Sequence, residues 1–131
     1  MCMINDGEPF DWSRVRVSTA RKAHRCTECG RDIAAGERYE NLVGKQEGCI
    51  DTYKTCRHCM AAREWLALVC GGYAMGMVLE DLAEHIDAGY NPRWLNLAVS
   101  GMRNKWRARD GSLRREMSLP KNLPGEGAPA P

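Results

Sequence analysis

Four of the chain's seven cysteines stand in two pairs of identical spacing, Cys26-Thr27-Glu28-Cys29 and Cys56-Arg57-His58-Cys59, whereas Cys2, Cys49 and Cys70 stand alone. A Cys-x-x-Cys turn aims two sulfurs at one centre, and two such turns complete the four-thiolate shell that structural zinc takes. Arg25, Arg31, Arg57 and His58 lie beside these cysteines and favour loss of the thiol protons. His58, His24 and Cys49 are reserve ligands should one of the four not serve. A thioredoxin-like redox role is disfavoured, because no βαβ pattern surrounds either pair. The odd cysteine count, with no basic and apolar leader in Met1 to Pro9, argues against a disulfide framework and for a reducing cytoplasm.

The elements that must position these sulfurs can be read between and after the pairs. The 26 residues from Gly30 to Thr55 exceed the roughly 15 to 20 of the commonest zinc ribbons, so the insert must fold. Glu37 to Val43 has strand character, Gly44 to Gly48 is loop-like, and Cys49 to Thr55 is β-branched and aromatic: a β-hairpin. Met60 to Cys70 is a run of helix formers with Trp65, Leu66, Val69 and Cys70 at helical spacing, so the second pair opens a helix.

Knuckle, hairpin and a helix carrying the last ligands, together with the string Cys26-x-x-Cys29-Gly30-Arg31-x-Ile33-x-x-Gly36-Glu37-x-Tyr39, resemble the treble-clef zinc fingers. The likeness spans Cys26 to Val69, about a third of the chain, and is similar to small zinc-finger proteins encoded by bacteriophages and prophages. It implies an α+β fold with one structural Zn²⁺ on Cys26, Cys29, Cys56 and Cys59. Thr27 stands where such knuckles often carry Pro. A closed four-thiolate shell offers no open position for catalysis. The chain has no His-x-Glu of the deaminase kind, and residues 33–55 lack the histidines of HNH nucleases built on this fold. A non-enzymatic protein without a small-molecule substrate is expected.

The chain's 131 residues suit one small domain, and a single Phe leaves little bulk for a large core. The formal charge of +2 excludes a histone-like polycation, and no apolar run spans a bilayer, so no membrane association is expected. Four thiolates around one Zn²⁺ would bring the total to about zero. The expected organisation is an arm over 1–12, anchored by Phe10 and Trp12; a zinc module over 13–70; a helical extension over 71–117; and a disordered tail over 118–131. Within the extension, Met75, Val78, Leu79, Leu82 and Ile86 mark one amphipathic helix. Leu95, Val99, Met102 and Trp106 mark a second, entered at Pro92 and running to about Arg109, so that a C-terminal helical hairpin results. Cys70 and Met77 are expected in the core joining module and extension.

Charge is blocked along the chain. Ser13 to Arg25 carries Arg14, Arg16, Arg21, Lys22 and Arg25 with no acid, and Val15 and Val17 alternate with Arg14 and Arg16 as in a half-buried strand with one basic face. Glu64 to Pro92 has five acids and no Lys or Arg, with Glu80, Asp81, Glu84 and Asp87 on one helix. Arg103, Lys105, Arg107 and Arg109 begin a second basic block. Two functions fit: a nucleic-acid-binding or regulatory module using the basic blocks, or a module whose acidic helix docks onto a host or phage protein and modulates it.

Overall fold

The computed structural model describes residues 10–89 and 92–120, so most of the expected arm and tail lies outside the described residues. The hydrophobic alternation and turn residues resolve into β1 (Trp12–Thr19), β2 (His24–Arg25), β3 (Asp32–Ile33), β4 (Arg38–Gln46) and β5 (Cys49–Cys56), followed by α1 (Arg57–Val69), α2 (Val78–Asp87) and α3 (Arg93–Arg103). The fold is mixed α+β. A three-stranded antiparallel sheet has the order β1-β4-β5, and β2 pairs with β3 as a separate short ribbon flanking the first cysteine pair.

The expected hairpin is longer than its sequence signal. Gly44, Lys45 and Gln46 continue β4 rather than forming a loop, and the connection is the two residues Glu47 and Gly48, both at positive φ (50° and 81°). Such a turn matches the twist of the flanking strands. Gly44 belongs in the strand because the Phe10 ring lies on it: a Cβ there would stand 2.6 Å from Phe10 Cδ1. Phe10 also meets Tyr53 edge-on at 6.0 Å, which pins the entry to β1.

One face of α1 closes over the metal-binding region and the sheet, burying Ala62, Trp65 and Leu66 completely. A buried ion pair from Arg63 to Glu40 fixes the helix on β4, and the Arg63 guanidinium also lies 4.6 Å over the Tyr73 ring. α2 and α3 pack on each other and on α1 through Val78, Leu82, Leu95, Ala98, Val99 and Met102. Trp65 stacks on Trp94 at 6.2 Å and meets His85 edge-on at 4.9 Å. Cys70 packs against this core as expected. Met77, by contrast, is 39% exposed.

The second amphipathic stripe ends earlier than its apolar spacing implies. α3 stops at Arg103, and Lys105 and Trp106 adopt left-handed φ of 55° and 59°. The amides of Lys105 and Trp106 donate to the carbonyls of Met102 and Gly101, a Schellman closure with Lys in the position usually held by Gly. Arg107 then pairs with Leu113 in an isolated bridge. This reversal folds the indole of Trp106 back against Gly101 of α3, where it is buried. Gly101 is the residue that admits it, since a Cβ there would lie 2.3 Å from Trp106 Cζ3. Gly101→Ala is therefore expected to lower stability by about 1–3 kcal/mol, measured by denaturant unfolding of the metal-loaded chain; an unchanged midpoint would contradict this packing.

Candidate metal centre

The two cysteine pairs, far apart in sequence, meet because β5 delivers Cys56 and α1 delivers Cys59 opposite the turn between β2 and β3. The first pair forms a tight turn: the Gly30 amide donates to the Cys26 carbonyl at 3.0 Å, and the Cys26 amide donates to the Arg31 carbonyl at 2.9 Å. Gly30 has φ 80°, a conformation that a residue with a Cβ rarely adopts. At the second pair, Cys56 is the N-cap of α1 and its Sγ accepts from the Cys59 amide at 3.4 Å.

The Sγ atoms of Cys26, Cys29, Cys56 and Cys59 all lie within 4.8 Å of one another, and Cys29 Sγ to Cys56 Sγ measures 3.8 Å. Zinc–sulfur bonds of about 2.3 Å in a tetrahedron place the sulfurs about 3.8 Å apart, so the four fit one metal ion. Cys26, Cys56 and Cys59 are buried and Cys29 is partly buried. The thiols cannot all ionise unaided. Hydrogen bonds from Cys29, Cys56 and Cys59 pull the Cys26 pKa far down, while contacts with Cys26 and Cys56, with burial, push Cys29 and Cys59 far up. A central cation removes that conflict, because every ligand then ionises beside positive charge.

Donors from the protein reinforce the sulfurs. The Cys56 amide donates to Cys26 Sγ at 3.3 Å, and the indole Nε1–H of Trp106 donates to Cys59 Sγ at 3.3 Å. His58 is fully buried, with its Nε2–H donating to the Arg114 carbonyl and its Nδ1 accepting from Arg31 Nη2 at 3.2 Å. A carbonyl only accepts and a guanidinium only donates, which fixes the neutral tautomer. Burial first, then Arg31 and Arg57, holds the His58 pKa below its ordinary value. His58 is thus committed to hydrogen bonds rather than metal. The other two reserve ligands also stand apart from the sulfur group: His24 lies against Tyr39, and Cys49 is exposed at the start of β5.

Arg31 is held by Glu37 through two hydrogen bonds of 2.8 and 3.1 Å. Those bonds, with the Ala34 amide and Arg57 nearby, draw the Glu37 pKa down to about 2 against its burial. The knuckle's remaining residues tie it outward. The Thr27 amide donates to the Lys54 carbonyl at 2.7 Å and its Oγ1 accepts from the Lys54 amide at 3.0 Å. Pro at this position would lose the first bond, which explains the departure from the usual knuckle. Glu28 accepts from the amides of Gly76 (2.6 Å) and Val78 (3.2 Å), capping α2 from 50 residues away where Met77 offers no side-chain cap. Its sequence gave no sign of this role.

The charged candidates fall on separate surfaces. Arg14, Arg16, Arg21 and Lys22 are exposed around β1 and the turn after it, and line neighbouring clefts with Asn41. Arg107 and Arg109 share another cleft with Arg114, while Arg103 faces α2 beside Asp87; Lys105 is exposed near Gly30. Glu80, Glu84 and Asp87 are exposed on α2, but Asp81 is 1% exposed and sits 3.5 Å from His85 Nδ1, so the acidic face has three carboxylates rather than four. Among the described residues, no helix is long and apolar enough to cross a membrane.

Stripping the metal with a strong chelator is expected to abolish the circular dichroism of the sheet and α1; an unchanged spectrum and melt would show that the four thiols hold nothing. Trp106→Phe keeps an aromatic side chain but removes the N–H to Cys59, and should weaken metal binding about 10- to 100-fold in competition with a chromophoric chelator. No family model matches the chain, and no curated protein or solved structure matches it either; the treble-clef resemblance rests on ligand spacing and element order.

Proposed function

We propose that the chain is a treble-clef-type module, built around one structural Zn²⁺, that binds nucleic acid through one face of the β1-β4-β5 sheet. Four thiolates are the donor set of closed zinc sites, and a filled tetrahedral shell leaves no position for a substrate; the role assigned to the protein is binding rather than catalysis.

The observation that carries the reading is the segregation of charge across the sheet. Side chains alternate between faces, and paired residues share one. The register puts Trp12, Arg14, Arg16 and Ser18 of β1 on the same face as Tyr39, Asn41, Val43 and Lys45 of β4 and Ile50, Thr52 and Lys54 of β5. That face carries four cations and no acid, whereas Glu40 and Asp51 both fall on the opposite face. Arg14 and Arg16 are exposed, and among the described residues neither has a carboxylate partner. Val15 and Val17, expected to be half-buried, are 52% and 43% exposed because β1 is an edge strand without a layer beneath it. A phosphate backbone supplies the missing countercharge at regular spacing.

The protein-docking alternative through α2 is weakened by the burial of Asp81. On the nucleic-acid reading, Glu80, Glu84 and Asp87 repel a polyanion from the helical side and leave the sheet as the approach. Binding of a mixed-sequence oligonucleotide, followed by fluorescence anisotropy from about 50 to 200 mM salt, should weaken steeply. Arg14→Gln with Arg16→Gln should reduce the slope of log K against log salt by about 1.4–1.8. Absence of binding at about 50 mM salt, or a slope untouched by the double variant, would sink the reading.

A further inference from the structure

Three of the four ligand sulfurs are each held by an N–H group, and the fourth is not. The Cys56 amide donates to Cys26 Sγ at 3.3 Å, the Cys59 amide to Cys56 Sγ at 3.4 Å, and the Trp106 indole to Cys59 Sγ at 3.3 Å. Among the described residues no N–H group reaches Cys29 Sγ, whose contact in the site is Cys56 Sγ at 3.8 Å. We propose that Cys29 is a modification site: a hydroperoxide oxidises it before the other three ligands, Cys56 closes on it as a disulfide, and the site gives up its metal. The inference rests on the zinc reading above.

Two differences between the sulfurs set this order, and a third observation supplies the partner. The first difference is electron density. A hydrogen bond to a thiolate stabilises its negative charge, and a thiolate becomes a weaker nucleophile as its charge is stabilised. Around one ion, the sulfur without a donor is therefore the strongest nucleophile. Cys56 and Cys59 also sit at the start of α1, where the helix dipole favours negative charge, and Cys29 does not. The second difference is cover. Cys26 is 1% exposed and Cys56 and Cys59 are 0% exposed, whereas Cys29 is partly buried and is followed by Gly30, which has no side chain to lay over it. Oxidation of cysteine follows thiolate character and access together. The partner is Cys56, whose Sγ at 3.8 Å is placed to close on an oxidised Cys29.

The chemistry balances with the peroxide as sole oxidant. The Cys29 sulfur attacks one peroxide oxygen with an electron pair; the S–O bond forms, the O–O bond breaks, and the departing oxygen takes a proton from water. The Cys56 sulfur then attacks the Cys29 sulfur; the S–S bond forms, the S–O bond breaks, and hydroxide leaves and is protonated. The two thiolates have lost two electrons and the peroxide has gained them. Cys26 and Cys59 alone do not make up the four-ligand shell of structural zinc.

The test uses the full zinc-loaded chain, hydrogen peroxide and a chromophoric chelator that reports free zinc. Thiols still reduced at successive times are capped with iodoacetamide and located by mass spectrometry. Zinc release is expected to quicken in proportion to peroxide, and the first disulfide among the four ligands to contain Cys29. Exposed Cys49 serves as an internal control, since its oxidation should release no zinc. Cys29→His offers zinc a nitrogen in place of the sulfur and should slow peroxide-driven release about tenfold or more. Trp106→Phe, which bares Cys59 Sγ, should bring oxidation of Cys59 up toward that of Cys29. Each variant is loaded with zinc and must show the parent's circular dichroism before peroxide is added; mapping on the parent needs no variant. A first disulfide that omits Cys29, release from Cys29→His as fast as from the parent, or release at a rate independent of peroxide would each overturn the inference while leaving the zinc reading in place. A chain that takes up no zinc would overturn both.

Discussion

The rest of the structure depends on holding four cysteine sulfurs within 4.8 Å of one another. Cys26 and Cys29 come from a turn between two very short strands, and Cys56 and Cys59 from the junction of a strand with a helix. Neither turn has enough apolar surface to fix itself. The residues between the paired cysteines are spent on ties elsewhere: Thr27 to β5, Glu28 to the start of α2, Arg57 to Glu37 ahead of β4, and His58 to the segment after α3. The indole of Trp106 closes the arrangement on Cys59. The metal site is the hub from which sheet, helices and C-terminal segment take their relative positions.

The electrostatics of that hub are consistent throughout. α1 begins at Cys56, has no acid in its first turn, and directs its N-terminal amides at sulfur. The Cys56 sulfur takes the place that an Asp or Ser oxygen holds at most helix starts, where the helix dipole favours a negative charge. Arg31 would be an expensive cation to bury alone, but it is gripped by Glu37 and lends its second nitrogen to His58. Arg63 and Glu40 form a second ion pair, which ties α1 to the sheet, whereas the Arg31–Glu37 pair reaches α1 through the Arg31 bond to His58.

What the sequence disclosed was what local chemistry controls. The ligand set was legible from two identical spacings, the hairpin from β-branched and aromatic runs, and α1 and α2 from apolar residues at three- and four-residue intervals. Long-range demands overruled local signals elsewhere. Gly44 reads as a loop residue until Phe10 is seen lying on it. The stripe ending in Trp106 reads as continuous helix, yet the indole has to reach Cys59, and the chain reverses at Lys105 to let it. Asp81 reads as one more acid on a polar face, but it turns inward to His85. Cys29 reads as the equal of the other three ligands, since a missing N–H donor is a property of a sulfur's neighbours and not of its spacing.

The position of β1 at the sheet edge bears on whether one copy of the chain pairs with another. An edge strand presents a row of unmated amides and carbonyls, and one bearing exposed Trp12, Val15 and Val17 invites a second chain to pair with it. Arg14 and Arg16 alternate with those apolar groups along the same strand. In an antiparallel approach of two copies they bring like charges together, which discourages the growth of a continuous sheet. The arginines on which the proposed binding face depends are thus also the ones that keep the strand from its own kind.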